Sequence, residues 1–289
     1  MSEFVWPFGY KSAFCISWDM DGEAAQYFRN PEEARNQIAE LVQRSYGPTV
    51  GIYKILDMLD NFEVKGTFFI PGYTALTYPD SVKAIVEKKH SLGLHGFMHE
   101  TLDKLDNTLE NEMFKKSINA FKKLGYNVPN VFRSPSFEWN RRTPNILINN
   151  SIIADSSLMG DDKPYIIKTE FGEIIEIPVQ WILDDFEFWG HTKANRQKPI
   201  SNPDTVIKIW QRELEGLYHS GGIFVLTLHP FVSGRWVYIK AIETLMKTAK
   251  TYNDLWITTI DQVADYCLKN KNAPYMIKRP LPPEVPFNY

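Results

Sequence analysis

The stretch Ile223-Phe224-Val225-Leu226-Thr227-Leu228-His229-Pro230 decides the fold. It is a near-continuous apolar run of strand length, stopped by a histidine and a proline, and it reads as a buried strand. Working outward, the same signal recurs at residues 11–18, at 64–70 before Pro71-Gly72, at 92–94, at Val131-Phe132, at 152–154 and at 255–258. Helix signals separate these runs. Asn30-Pro31-Glu32-Glu33 supplies a cap, a proline at the first helical position and acids in the first turn, and Ile38, Leu41 and Val42 continue at helical spacing. Further helices are expected over residues 52–59, from Pro79, over 108–124, over 143–149, from Pro203, over 237–249 and over 260–268. Residues 165–179 differ: two β-rich halves flank Phe171-Gly172 and suggest a hairpin.

Seven or so strands alternating with helices call for an α/β protein with a parallel sheet. A chain of 289 residues fits closure into a single barrel domain, with a core of about 13–268. The tail, residues 271–289, holds five prolines and is expected to run along the surface or against a neighbouring subunit.

The polar residues that follow the strands are the second signal. Asp19 and Asp21 come after the first strand, His95 after the third, Arg133 after the fourth, Asp155 after the fifth and His229 after the buried late one. In α/β barrels the catalytic groups stand at the C-terminal ends of the strands, so these residues should share one rim. His95 and His99 stand four apart among only six histidines, and with Asp21 they offer two imidazoles and a carboxylate. That set leaves positions open for water and substrate, as catalytic zinc requires. It also suits Fe(II) oxygen chemistry, although the usual scaffold there is a β-roll. Asp19, freed from the metal, can act as a general base, held ionised by a bidentate contact from Arg133. His229, fixed before a proline, suits a general acid tuned by a carboxylate such as Asp155. Trp139, Trp181, Phe186, Phe188 and Trp189 offer flat faces for a sugar or heterocyclic ring, with core packing as the competing use.

These residues resemble the polysaccharide deacetylase family, the NodB-homology enzymes of carbohydrate esterase family 4. Ser17-Trp18-Asp19-Met20-Asp21-Gly22 resembles the family's first motif, and His95-Gly96-Phe97-Met98-His99 resembles its metal motif. Arg133-Ser134-Pro135 resembles the motif that lines the groove, and Leu226-Thr227-Leu228-His229 the motif bearing the acid. The resemblance covers roughly residues 13–268. It implies a distorted (β/α)7 barrel and a hydrolase of non-peptide C–N amide bonds. Asp19 would be its base, His229 its acid, Arg133 and Asp155 further catalytic residues, and Asp21, His95 and His99 the metal ligands. Pro135, Trp139, Trp181, Asp185 and Trp189 would bind substrate. Zn²⁺ is the expected cofactor, with Co²⁺ as the other candidate.

Two departures are visible. Met20 separates the aspartates that are usually adjacent, and Gly96 stands where Ser or Thr usually follows the first histidine. With Asp155-Ser156-Ser157 and residues 181–186, they resemble the intracellular peptidoglycan-deacetylase-like and allantoinase-like branch. That branch implies a homotetramer acting on small substrates. An acetylated amino sugar or related small amide is the expected substrate, and a cyclic amidase opening an allantoin- or imide-like ring is the alternative.

Composition narrows the rest. With 44% hydrophobic and 23% charged residues and a net charge of −3, neither nucleic acid nor an anionic membrane is a favoured partner. Two cysteines, Cys15 and Cys267, are too few for a disulfide framework. The first residues read without a signal peptide and no stretch reaches membrane-spanning length, so a cytoplasmic location is expected.

Overall fold

A computed structural model of the chain describes residues 4–283. Its ten strands are β1 (Ser12–Asp19), β2 (Thr67–Ile70), β3 (Ser91–Leu94), β4 (Val131–Phe132), β5 (Ala154–Asp155), β6 (Tyr165–Thr169), β7 (Gly172–Glu176), β8 (Ile223–Leu228), β9 (Leu255–Thr258) and β10 (Lys278–Pro280). Seven of them form one continuous parallel run, β7-β5-β4-β3-β2-β1-β8. After β7 the chain swings to the far side of β8, where Asp184 bridges Thr227 in parallel sense. The ring therefore closes irregularly, as a distorted TIM-like α/β barrel. β6 and β7 form the expected antiparallel hairpin, whose second strand enters the barrel. β9 pairs with the N-terminal half of β1, leaving the C-terminal half to β2.

Strand periodicity separates two layers. On β1, Phe14, Ile16 and Trp18 pack among the helices, whereas Ala13 and Cys15 join an inner cluster with Val131, Ala154, Ile175, Ile223 and Val225. On the outer face Phe14 stacks on Phe224 at 5.0 Å and Trp18 on Phe68 at 5.2 Å. Continued upward, the inner parity of β1 reaches Ser17 and Asp19, that of β4 reaches Arg133, and that of β8 reaches Thr227 and His229. Small and apolar residues fill the barrel floor, and charge is confined to its rim.

The segment after Asn30 departs from the sequence reading. Asn30 does cap, accepting from the Glu33 N–H at 3.1 Å, but the helix it opens stops at Ala34. A new helix, Ile38–Tyr46, then packs with its polar side inward. Glu40 and Arg44 are buried, while Ile38 and Val42 are each 62% exposed. The tail runs along the molecule as expected up to residue 283, with β10 pairing parallel to β6, and its remainder lies outside the described residues.

Candidate active site

Asp19 and Asp21 reach one cavity because the backbone between them stays extended. The Met20 N–H still donates to the Phe69 carbonyl, and the Met20 side chain is fully buried. Residues two apart on an extended chain point to one side, so the inserted methionine does not part the carboxylates. Gly22, at φ +57°, turns the chain away immediately afterwards.

The histidine loop is held by its own glutamate. Glu100 accepts from the N–H groups of Phe97 and Met98, the latter at 2.7 Å. Gly96 sits at φ +69°, and a Cβ there would lie 2.9 Å from the Glu100 carboxylate. This accounts for glycine at that position. His95 Nδ1 bonds the Arg133 carbonyl at 2.8 Å, so Nδ1 carries the proton and Nε2 offers its lone pair. His95 Nε2 stands 3.5 Å from Asp21 Oδ1, and His99 Nε2 stands 3.6 Å from Asp21 Oδ2.

These three residues fit a metal ion. Their donor atoms lie within 4.8 Å of one another, and His95 Nε2 and Asp21 Oδ1 are buried with no hydrogen-bond partner among the described residues. Ligands about 2.1 Å from a tetrahedral ion stand about 3.4 Å apart, close to the spacings seen. Burial pushes both imidazoles down, His95 to about 4 and His99 to about 3, which keeps them neutral and able to ligate. Burial also raises the Asp21 carboxyl, against the pull of His229 and His95.

Asp19 lies in a different field. Burial would raise its carboxyl, but the Arg133 guanidinium, with His95 and His229, outweighs it and holds the group below the usual carboxylate range. Arg133 Nη1 contacts Asp19 Oδ1 at 2.8 Å and Ser17 Oγ at 2.9 Å. The expected bidentate grip is absent, because Nε and Nη2 are committed to Ser156. Oδ2 of Asp19 is thereby left towards His95.

His229 is charged from the opposite wall. Its Nδ1 bonds Asp185 Oδ1 at 2.7 Å, its N–H donates to the other oxygen, and Asp184 lies 3.7 Å away. Burial opposes the imidazolium, yet Asp184 and Asp185 overcome it and lift the group to about 10. Its Nε2, 4.0 Å from Asp21, faces the cavity. Asp184, Asp185 and His229 also cluster tightly enough to hold an ion. There, however, Nδ1 is bound to Asp185, and Asp184 caps the Phe186 N–H.

The tuning carboxylate is therefore Asp185, and the expectation that Asp155 performs this task is corrected. The reason is strand parity. Asp155 is in register with Phe132 and Glu176, on the outer face, one residue from the inner position of Ser156. There it accepts from Ser157 and Trp139.

The cavity measures about 210 Å³. Trp181 lines it, edge-on to Phe137 at 5.0 Å, and so does Phe186. Five expected binding residues, Trp189, Phe188, Trp139, Pro135 and Asp185, do not. Trp189 stacks on Tyr238 at 4.4 Å within the core, and Phe188 likewise packs on Trp210. Trp139 is buried against Asp155. Pro135 is buried too, but it begins a turn in which Ser136 (φ 59°) and Phe137 (φ 57°) are left-handed and bring those two residues to the wall. Asp185 stands behind His229 rather than on the wall. Sequence reading missed Arg29, Arg44, Ser136, Phe137, Asp184 and Glu187 as lining residues. For Arg44 a signal existed, since Glu40 and Arg44 form an i,i+4 charged pair on a helix with an apolar opposite side.

The fold and the site define an α/β barrel whose rim carries a trio able to hold a metal ion. The polysaccharide deacetylase family model matches residues 45–152. A Mycobacterium smegmatis protein of known crystal structure, assigned to the polysaccharide deacetylases, is 31% identical, covers 99% of both chains and superposes with a TM-score of 0.92. The peptidoglycan deacetylase of Helicobacter pylori is 24% identical over 76% of this chain and 84% of its own length. An allantoinase shares the fold at 18% identity over 94% of both chains, with a TM-score of 0.80. The chain belongs to the polysaccharide deacetylase family, whose members are hydrolases acting on C–N amide bonds.

Proposed function

We propose that this protein is a metal-dependent N-deacetylase of an acetylated amino sugar or related small amide. The observation that carries this reading is the convergence of Asp19, His229 and the Asp21-His95-His99 trio on one cavity of about 210 Å³. A divalent cation, with Zn²⁺ first and Co²⁺ second, would be held by Asp21, His95 and His99 and would supply Lewis acidity toward water and an amide carbonyl. Asp19, ionised beside Arg133, takes the proton of the attacking water at Oδ2, the oxygen free of the guanidinium. His229 holds a proton at Nε2 and delivers it to the leaving nitrogen, while Asp185 keeps the ring oriented and charged. Trp181, Phe137 and Phe186 wall the space for a ring. The products are acetate and a free amine.

The small cavity favours a small amide over an extended polymer, and the retained histidine pair favours a metal-dependent reaction. A homotetramer accords with the exposure of Ile38, Val42, Trp236 and Val237 on this chain, and light scattering reads it directly. Among the described residues no helix is long and apolar enough to cross a membrane. Cys15 and Cys267 are free and buried, which accords with a reducing compartment such as the cytoplasm.

The test is a panel of N-acetyl amino sugars, small acetamides, ureides and cyclic imides, incubated with zinc- or cobalt-loaded enzyme. Release of acetate, abolished in Asp19→Asn, is the expected result. Ring opening of ureides or imides by metal-stripped enzyme, without acetate release, would replace this reading with the cyclic-amidase one.

A further inference from the structure

The catalytic cavity adjoins a second, polar cavity of about 400 Å³, and the two share Arg29, Arg44 and Phe186 in their walls. The charges in these walls are almost all spent on one another. In the second cavity Glu33 takes Asn30, Gln37 and Lys193, and Glu40 takes Gln26 and the Lys193 N–H. In the first, Glu187 pairs with Lys198 at 3.1 Å. Arg44 Nε donates to Glu40 at 3.2 Å, and its guanidinium lies 4.3 Å from the centre of the Phe231 ring.

Arg29 is the exception. Alone among the charged side chains lining either cavity, its guanidinium has no hydrogen bond or ion pair with any described residue. Arg29 is exposed, but it lines both cavities, at the end of the helix Ala24–Arg29 that starts three residues after Asp21. A guanidinium at the junction of two cavities, beside a second one already balanced by Glu40, leaves a local excess of positive charge. Its planar fork matches an oxyanion.

We propose that Arg29 is a specificity residue that receives a carboxylate or phosphate group carried by the substrate whose amide is cleaved in the adjoining cavity. The preferred substrate is then an acylated amine that also bears an anion, rather than a neutral acetylated sugar. This rests on the amide-hydrolase reading above, and the binding measurement below is independent of it.

Calorimetric binding of N-acetylglucosamine, N-acetylglucosamine 6-phosphate and N-acetylmuramic acid to metal-free protein tests the proposal without turnover. Wild type should bind at least one of the two anionic compounds about 10-fold or more tighter than the neutral one, as a charge-assisted contact gives. Which anion gains more identifies its source, phosphate or carboxylate. Arg29→Gln should bring the ratio close to one, and Arg29→Lys should retain part of it, with unchanged melting curves. Equal binding of all three compounds, or a preference that survives Arg29→Gln, overturns the proposal. If the preference holds but the metal-loaded enzyme cleaves none of the amides, the anion site stands and the deacetylase reading falls.

Discussion

Two pairs of buried carboxylates sit at the same end of the barrel and behave in opposite ways. Asp19 and Asp21 open on the cavity beside Arg133, His95, His99 and His229. Asp155 and Glu176 face the outer layer, in register on neighbouring strands, with Ser157, Leu158 and Trp139 as donors and no cation bonded to them among the described residues. Burial raises both members of the outer pair, Asp155 to about 6, and Glu176 further because its neighbour is also a carboxylate. The outer pair thus neutralises itself with a proton. In the inner pair Arg133 keeps Asp19 ionised, and Asp21 is left beside two neutral imidazoles. Burial alone does not make a reactive carboxylate; the partners do.

The largest effect should come from the inner pair. Asp19→Asn is expected to lower kcat/KM by about 10²–10⁴-fold while leaving metal content unchanged, as measured by acetate release and elemental analysis. Activity retained in that variant would remove Asp19 from the role of base.

A second effect is in the pH profile. Wild-type kcat/KM should fall on the acid side as Asp19 protonates, below the ordinary carboxylate range, and on the alkaline side as His229 loses its proton near 10. Asp185→Asn weakens the hold on that proton, so the alkaline limb should move down by about one unit or more. An alkaline limb that stays in place would assign it to another group.

The outer pair should respond in stability instead. Asp155→Ala strands Ser157 and Trp139 and is expected to cost about 1–3 kcal/mol in denaturant unfolding, with metal stoichiometry intact. Loss of turnover at unchanged stability would erase the contrast between the pairs. The smallest effect is a pH dependence. A raised folded pKa means that the native state binds the proton more tightly, so this contribution is lost as pH rises through about 6. Asp155→Asn removes that titration, and the variant should gain on wild type by about 1 kcal/mol as pH rises through this range in pH-dependent melting.

The sequence made the barrel legible because its strands are apolar on both faces and end in polar residues. The hairpin around Phe171-Gly172 and the rim positions of Asp19, Asp21, His95, Arg133 and His229 follow from the same signal. Asp155 was misplaced by one residue: it too follows a strand, but its parity matches Phe132 and not Arg133. Only the pairing register reveals which of Asp155 and Ser156 points inward. The partner of His229 was hidden for another reason, since Asp185 arrives from a segment outside the named strands, joined to β8 by the isolated Asp184–Thr227 bridge. The helical spacing of Ile38, Leu41 and Val42 does not reveal that the helix Ile38–Tyr46 buries Glu40 and Arg44 instead. Long-range charge pairing outweighed local periodicity there.

The proposed amide hydrolysis requires a metal held by Asp21, His95 and His99. Its most direct test is acetate release from N-acetyl amino sugars by chelator-stripped enzyme as zinc is titrated back. Activity should rise from baseline and level off at one equivalent per chain, and His95→Ala should stay at baseline throughout. Stripped enzyme that turns over as fast as the reloaded enzyme would contradict the account.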